Sequence, residues 1–507
     1  MGGAMRSTVF TWAGAVGCAL LALSGLSAPA SGGPTVGQGW CTASVPVLVV
    51  GGTPAGVAAA VSAARLGSRV MLIEARPYLG GDLTGAMLNM FDMDFGPGGQ
   101  HLARGVFMEI YQQLGMTFDV ELAKHVFLQE VRRESRVTLR LLVRPVDVIM
   151  QGPLITGVVV EDLQTHEHQT LCAKRIIDAT DDADIAAMAG VPYLLGRQGS
   201  GIDRAMMAAT LVFELDGVNW REVVGYVTSR PGPRGLRGGI YHGNAWGYSD
   251  IMRGYRPIMS GTGIYDLNLG RQNDGTVLVN GLLIYGVDGT DPGSVDDGVE
   301  RARAELPVLL AYLRARAPGF EHADLVRAAD YLYIRETRHV RGLYTLTVHD
   351  VVNSRVFWDA IGVASYPIDL HPYRPGDHNP YAANRYVYTI PLRALVPYRV
   401  DNLLVASRAI SASYEAAGSA RVAPTTMEEG QAAGVAAVLS IRARVTLPRF
   451  TEAPPLVHEL QETLFTQGAY LLPETMAAAA GSSPAHVTGP AMVIPRPPQA
   501  ADPLAPQ

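Results

Sequence analysis

Cysteine is scarce in this chain. There are three in 507 residues, and none sits in a C-x-x-C pair. That excludes the cysteine cages of iron–sulfur clusters and structural zinc. Cys18 falls within an N-terminal apolar run, so Cys41 and Cys172 remain, and their pairing cannot be asserted from sequence. A basic excess is also missing: 41 Lys and Arg stand against 47 Asp and Glu, a net charge of −6. Nucleic acid is therefore not an expected partner. Beyond the first thirty residues no apolar stretch is long enough to span a bilayer. No internal repeat is visible.

The first thirty residues have a character of their own. Arg6 precedes an apolar run from Val9 to Leu23, interrupted by Gly14 and Gly17, and Ala28-Pro29-Ala30 follows. A positive n-region, a short apolar core and an A-x-A site make residues 1–30 a secretory signal cleaved near Ala30. The expectation is a secreted or periplasmic protein with no stable membrane span after removal of the signal. Twin arginine is lacking, so the export route stays open. Residues 31–44, rich in Gly, Ser and Thr, read as a linker.

What the chain does have begins at "VPVLVV", a continuous apolar run that predicts a buried parallel strand. "GGTPAGVAAA" follows. Gly51 and Gly56 occupy the first and third glycine positions of a dinucleotide fingerprint, with Thr53 at the second. Pro54 to Leu66 predicts a helix stopped by Gly67, and "RVMLIEA" a second buried strand ending near Glu74. A helix start here aims free N–H groups at a pyrophosphate, and an acid closing the second strand can accept ribose hydroxyls. Glu74 suits FAD or NAD alike. Residues 117–135 predict a helix, and three strands follow up to "IIDAT". The acids Asp181, Asp182 and Asp184 after it favour capping of the next helix over a metal site. "THEHQ" between two strands reads as an exposed hairpin turn.

From 196 to 395 the pattern breaks into short strand-like pieces with one good helix around Asp296–Ala317. The α/β pattern then returns in "DNLLVAS" and a long Ala/Gly helix over Thr426–Arg442. The expected fold is α/β, with a Rossmann-like nucleotide-binding domain in two parts, 45–195 and 396–445. An inserted mixed α+β substrate or cap domain spans 196–395. A C-terminal helix and disordered tail complete the chain over 446–507.

Taken together, "VVGGTPAGVAAA", "LIEARPYLGGDLTG", "IIDATDDADIAAMAG", "IRETRHVRGLYTLT", "SYPIDLH" and "DNLLVASRAISASYEAAGSARVAPTTMEEGQAAG" resemble one family. It comprises FAD-dependent oxidoreductases related to the flavoprotein component of heterodisulfide reductase, sometimes labelled xanthan lyase-like. The resemblance covers most of the chain and implies FAD on the two-part domain. Gly51, Gly52 and Gly56 would line the pyrophosphate turn together with Thr53, Pro54 and Ala55. Glu74 would hold the adenosine ribose beside Ala75 and Arg76. Gly81, with Asp82 and Thr84, would form the diphosphate loop. Val146, Ala179, Thr180 and Asp184 would follow from the next strands. Ser407, Arg408, Gly418, Arg421 and Thr426 would come from the closing segment, with Gly430 and Gln431 of its G-Q-A-A-G helix. Thr53 departs from the middle glycine, Asp181 stands where the family has Gly, and Ser407 and Ala409 replace a Gly-Arg-Cys run. Relatives that carry iron–sulfur clusters use cysteine motifs absent here.

The resemblance makes the expected activity hydride transfer between a small organic substrate and flavin N5, with the electron acceptor unknown. His371, in "YPIDLHPYRP", is the expected base, because imidazole titrates near working pH. Arg335 and Arg338 are candidates for an anionic substrate or for reduced flavin. Tyr388 completes the catalytic candidates. Two alternatives remain at this point: an NAD-dependent oxidoreductase, and an exported non-catalytic protein that keeps a flavin fold for carbohydrate or surface binding.

Overall fold

The computed structural model describes residues 40–229, 238–381, 384–473 and 475. The signal, most of the linker and the tail expected from sequence lie outside them. The first strand begins at Ala43, so it takes the last two residues of the stretch read as linker.

The apolar runs form the parallel core of the main sheet. Strands β1 (Ala43–Val50) and β2 (Val70–Glu74) flank helix α1 (Pro54–Arg65). They pair in parallel from Val47 with Val70 to Val50 with Ile73. Strand β3 (Val137–Leu141) extends this side, parallel to β2. On the other side β1 pairs in parallel with β6 (His168–Asp178), bringing Val50 beside Asp178. β6 is eleven residues long and shares its outer edge between two partners. Its first part pairs antiparallel with β5 (Leu154–Asp162), which carries β4 (Val143–Gln151). Its last part pairs in parallel with β7 (Leu403–Val405), from the far end of the chain. The carboxyl ends of β1, β2, β6 and β7 therefore share one edge, where ligands bind in open α/β sheets.

Helix packing explains why the sequence here is so rich in alanine. Pro54 to Ala64 of α1 are all buried, and the small residues among them let neighbouring elements approach its backbone closely. The helix α2 (Val120–Arg132) covers one flank, its start capped by the Asp119 carboxylate, which accepts from Glu121 and Leu122 N–H. Further along the chain come α3 (Pro292–Arg316), α4 (Tyr414–Ala420) and α5 (Ala423–Ala443). α5 lies directly on α1. A Cβ on Gly430 would meet the Ala55 carbonyl oxygen at 2.0 Å, and one on Gly434 the Ala59 carbonyl oxygen at 2.4 Å. The Ser62 hydroxyl donates across the contact to the Gln431 carbonyl at 2.9 Å.

The middle segment builds a second, six-stranded antiparallel sheet. Its order is Gly239–Tyr241, Asn244–Gly247, Leu267–Arg271, Val277–Asn280, Phe213–Asp216 and Asp324–Ala328. Its apolar core, with Phe213, Leu306, Leu309 and Phe320, spans Ala209 to Leu332 and takes in Met87 and Val120 from the first part of the chain. From Leu346 onward most buried apolar side chains, such as Leu346, Ile361 and Ile390, join the core of the parallel sheet instead.

Cys41 and Cys172 are disulfide-bonded, with Cα atoms 5.8 Å apart. The bond fastens the chain just before β1 to its neighbour β6, a pairing that sequence alone left open.

Candidate functional site

The β1–α1 turn is held by three glycines and a threonine. Gly51 has φ +104°, and a Cβ there would meet the Ala179 carbonyl oxygen at 2.5 Å. A Cβ on Gly56 would meet the Gly51 carbonyl oxygen at 1.9 Å, which forces glycine at the helix start. Gly52 donates its N–H to a Glu74 carboxylate oxygen at 2.6 Å, and its carbonyl accepts from Gly80 N–H at 2.8 Å. Thr53 is the N-cap of α1. Its hydroxyl accepts from Gly56 N–H at 3.2 Å and donates to the Ala179 carbonyl at 2.9 Å. Both roles of the hydroxyl are thus taken inside the protein, and its proton faces β6 rather than a ligand. The remaining first-turn N–H groups of α1, such as that of Ala55, have no intrahelical partner.

A cavity of about 460 Å³ opens beside this turn. Gly51, Thr53, Glu74, Ala75, Arg76 and Thr180 form its sheet side, and Gly289, Tyr331 and Ile334 of the middle segment cover it. The Glu74 carboxylate also accepts from Arg76 N–H at 2.8 Å and pairs with the Arg76 guanidinium at 3.3 Å. That guanidinium stacks 4.0 Å over the Tyr331 ring, whose buried hydroxyl has no hydrogen-bond partner among the described residues.

Arg408, just past β7, gathers the acids at the cavity's inner end. It contacts Asp82 at 3.0 Å, Asp182 at 2.8 Å and Asp181 at 3.9 Å. Burial opposes its charge, but these three carboxylates outweigh burial and raise its pKa. Burial and then the Asp181 charge push the Asp82 carboxyl up to about 7, against the pull of Arg408 and Arg76. Burial raises Asp181 in the same way. The acids do not cap the short helix Asp184–Met188, as their position in the sequence suggested. Asp178 at the end of β6 accepts from Ala186 N–H, and the Thr180 hydroxyl accepts from Asp184 N–H. The Asp182 and Asp184 carboxylates are engaged by arginines instead: Arg408 pairs with Asp182 at 2.8 Å and Arg338 with Asp184 at 2.8 Å.

A second cavity, of about 60 Å³, continues from the first and shares Thr53, Asp82, Asp181, Ile334 and Arg408 with it. It runs to the N-terminus of α5, where Val422, Ala423 and Thr426 line it. Val422 supplies no side-chain cap, so the first N–H groups of this 21-residue helix are left to the cavity. Asp92, Tyr333, Arg335 and Arg421 complete the wall. Behind them lies a charged network. Arg421 donates to the Tyr333 hydroxyl at 2.7 Å and pairs with Asp369 at 2.8 Å, and Asp369 reaches His371 at 3.2 Å. Burial and the Arg335 charge push His371 down to about 4, despite Asp369. Burial would raise Asp369, but His371, Arg421 and Arg335 hold its carboxyl well below the usual range. Asp92 accepts from the Tyr366 hydroxyl at 2.9 Å, and burial raises its pKa.

The structure brings most expected site residues together and sets some apart. Pro54, Ala55, Ser407, Arg421 and Thr426 line the smaller cavity, and Arg408 lines both. Gly81 lies against the first turn: a Cβ there would be 3.3 Å from the Pro54 ring. Thr84 buries its hydroxyl on the Leu79 and Gly81 carbonyls. Val146 lies on β4, one residue beyond Val143, Arg144 and Pro145 of the larger cavity. Gly430 and Gln431 fasten α5 to its neighbours, and the Gln431 amide oxygen accepts from Val106 N–H at 3.1 Å. The Gly418 carbonyl accepts from Asp369 N–H and so steadies the Asp369–His371 loop. Tyr388 is fully buried in the apolar core, donates to the Ser419 hydroxyl at 2.8 Å and lines neither cavity. His371 sits one ion pair behind the smaller cavity. Sequence reasoning missed Asp92, Tyr333, Tyr366 and Asp369. Each is an ordinary residue type in its own segment, and only the fold assembles them around Arg421.

The parallel sheet, the glycine turn with its acid and the paired cavities define a dinucleotide-binding domain of Rossmann-like, two-part type. Residues 46–464 match the family model described as FAD dependent oxidoreductase. The chain belongs to this family of flavoenzymes, whose cofactor is FAD. No curated protein matches it. Among solved structures it is similar to a geranylgeranyl bacteriochlorophyll reductase-like protein from Thermoplasma acidophilum, at 13% identity and a TM-score of 0.41, over 86% of this chain and 87% of that one. It is also similar to p-nitrophenol 4-monooxygenase from Pseudomonas putida, at 11% identity and a TM-score of 0.40, over 86% and 92%. A third is the flavin-dependent monooxygenase PieE in complex with FAD and substrate, at 15% identity and a TM-score of 0.32, over 60% and 52%.

Proposed function

We propose that this chain is an exported FAD-dependent oxidoreductase that passes a hydride between a small organic substrate and flavin N5. One observation carries the reading. Two joined cavities run from the β1–α1 turn, with Glu74 beside it, to the uncapped N-terminus of α5. The residues fit the cofactor: Glu74 would hold the adenosine ribose, and the first-turn N–H groups of α1 would receive the diphosphate. The α5 N-terminus would receive the pyrimidine end, where its dipole favours negative charge. FAD, when bound, supplies a two-electron acceptor. Asp92 lines the smaller cavity, whereas His371 does not line it and is linked to its wall through Asp369 and Arg421. We therefore assign Asp92 as the group that holds the substrate's proton, with His371 behind it in the charged network.

The motif set along the sequence supports kinship with the flavoproteins related to heterodisulfide reductase. The disulfide between Cys41 and Cys172 supports export, because such bonds persist in oxidising compartments. N-terminal sequencing of the mature protein checks this, with residue 31 as the expected first residue.

The purified protein is expected to be yellow, to bleach with dithionite and to release FAD, identified by mass, on denaturation. A colourless preparation that takes up no added FAD would sink the proposal. Release of NAD instead would favour the nicotinamide alternative.

A further inference from the structure

Arg335 differs from the other arginines around the two cavities. It is 3% exposed, yet it takes part in no ion pair among the described residues, whereas Arg338, Arg408 and Arg421 all do. Its Nη1 donates to the Ala208 carbonyl at 2.7 Å and to the Thr210 hydroxyl at 2.9 Å, both neutral acceptors. Its plane stacks 4.3 Å from the Tyr333 ring centre. Its Nε is buried without an acceptor, and its only hydrogen bonds among the described residues are those of Nη1. Asp369, which attracts it, is already engaged by Arg421 and His371.

A guanidinium is always charged in a protein, and burying one without an opposite charge is costly. The unused Nε–Nη2 edge is the planar fork that binds a carboxylate through two parallel hydrogen bonds. The stack on Tyr333 and the two bonds of Nη1 fix that fork in place, and Arg335 lines the smaller cavity. Flavin has no prior claim on it, because the α5 N-terminus already serves the pyrimidine end in the proposed function. Asp92 and Asp181 line the same cavity and disfavour a second negative charge.

We propose that Arg335 is the substrate-binding residue for a monocarboxylate, so that the substrate is a small organic acid held through its carboxylate. The proposal rests on the reading of the smaller cavity as the flavin end of the site.

The test uses the FAD-loaded full chain, its flavin content measured first, and titrates it with acetate, lactate and the neutral isostere acetamide. Flavin difference spectra and calorimetry are the readouts. Acetate and lactate are expected to bind saturably and acetamide not to bind. Arg335→Met is expected to weaken the carboxylates about 10- to 100-fold, the scale of a lost charged hydrogen-bonded contact. Arg335→Lys is expected to restore only part, having the charge without the fork. Equal binding of acetamide, or undiminished binding by Arg335→Met, overturns the proposal. So does an altered flavin midpoint potential in Arg335→Met with acetate affinity kept, since the fork would then face the flavin. If both variants fail to fold, the comparison of acetate with acetamide on the wild type decides. A wild type that holds no FAD defeats the parent reading, and calorimetry with acetate on that same protein still tests the fork.

Discussion

At the scale of residues, Thr53 shows why a fingerprint tolerates a missing glycine. The position needs a backbone that lets a ligand approach closely, and it also starts a helix. A glycine meets the first need, but threonine meets both once its side chain turns back. The Thr53 hydroxyl caps α1 and ties the turn to the Ala179 carbonyl. Thr53→Ala is expected to cost about 1–3 kcal/mol through the lost cap and the orphaned carbonyl, with FAD content kept. Urea unfolding and flavin absorbance measure the two effects. Gly51→Val is expected to abolish FAD binding, because its Cβ would sit 2.5 Å from the same carbonyl oxygen. Equal flavin in the wild type and Gly51→Val would show that this turn is not the site. Asp82 yields a prediction of the opposite kind. Its folded pKa is raised from 3.8 to about 7, so the native state binds a proton that the unfolded state gives up between those values. Stability contributed by this group therefore falls as pH rises through that window, and Asp82→Asn is expected to reduce the slope, leaving the part due to Asp181. Unfolding at pH 5 and pH 8 should show the variant gaining on the wild type at the higher pH. A difference independent of pH would mean an ordinary carboxyl.

At the scale of elements, the contact of α1 with α5 decides whether the two halves of the nucleotide domain close. Small residues on both helices let the backbones approach until a Cβ on Gly434 would meet the Ser62 hydroxyl at 2.1 Å and the Ala59 carbonyl at 2.4 Å. Gly434→Val is expected to destabilise the protein by about 1–3 kcal/mol or more through overpacking. The same substitution at the exposed Gly376, where a Cβ meets nothing within 4 Å, controls for the β-branched residue, although its φ of +92° adds strain of its own. Thermal unfolding of both variants compares them, and Gly434→Val should lose more. These elements were legible in the sequence because continuous Val, Leu and Ala runs have few other uses. The closing strand and helix were legible for the same reason, and with them the split of the domain. The antiparallel sheet of the middle segment was not. Its strands are only three to five residues long, and Phe213–Asp216 pairs with strands that come more than sixty residues later. The site divided along the same line. The turn, Glu74 and Arg335 carry local signals, whereas Asp92, Asp369 and Tyr366 acquire a role only from segments that the fold brings together.

At the scale of the whole molecule, one covalent bond and one sheet separate stability from binding. Cys41–Cys172 closes a loop across 131 positions of sequence, long enough for its loss to relax the unfolded chain substantially. The double variant Cys41→Ser/Cys172→Ser is expected to lose about 2–5 kcal/mol of stability. The bond lies before the start of β1, and the cavities lie past its end at Val50. Nine residues of extended chain separate them by roughly 30 Å. The variant that remains folded should therefore hold FAD as well as the wild type does, and dithiothreitol should lower the urea midpoint of the wild type but not that of the variant. A wild type indifferent to dithiothreitol would mean that the two thiols contribute nothing as a bond. Loss of FAD from a variant that unfolds at the normal midpoint would mean that strain at one end of β1 reaches its other end. That would contradict the division of labour in which the amino ends of the central strands secure the fold and their carboxyl ends hold the ligand.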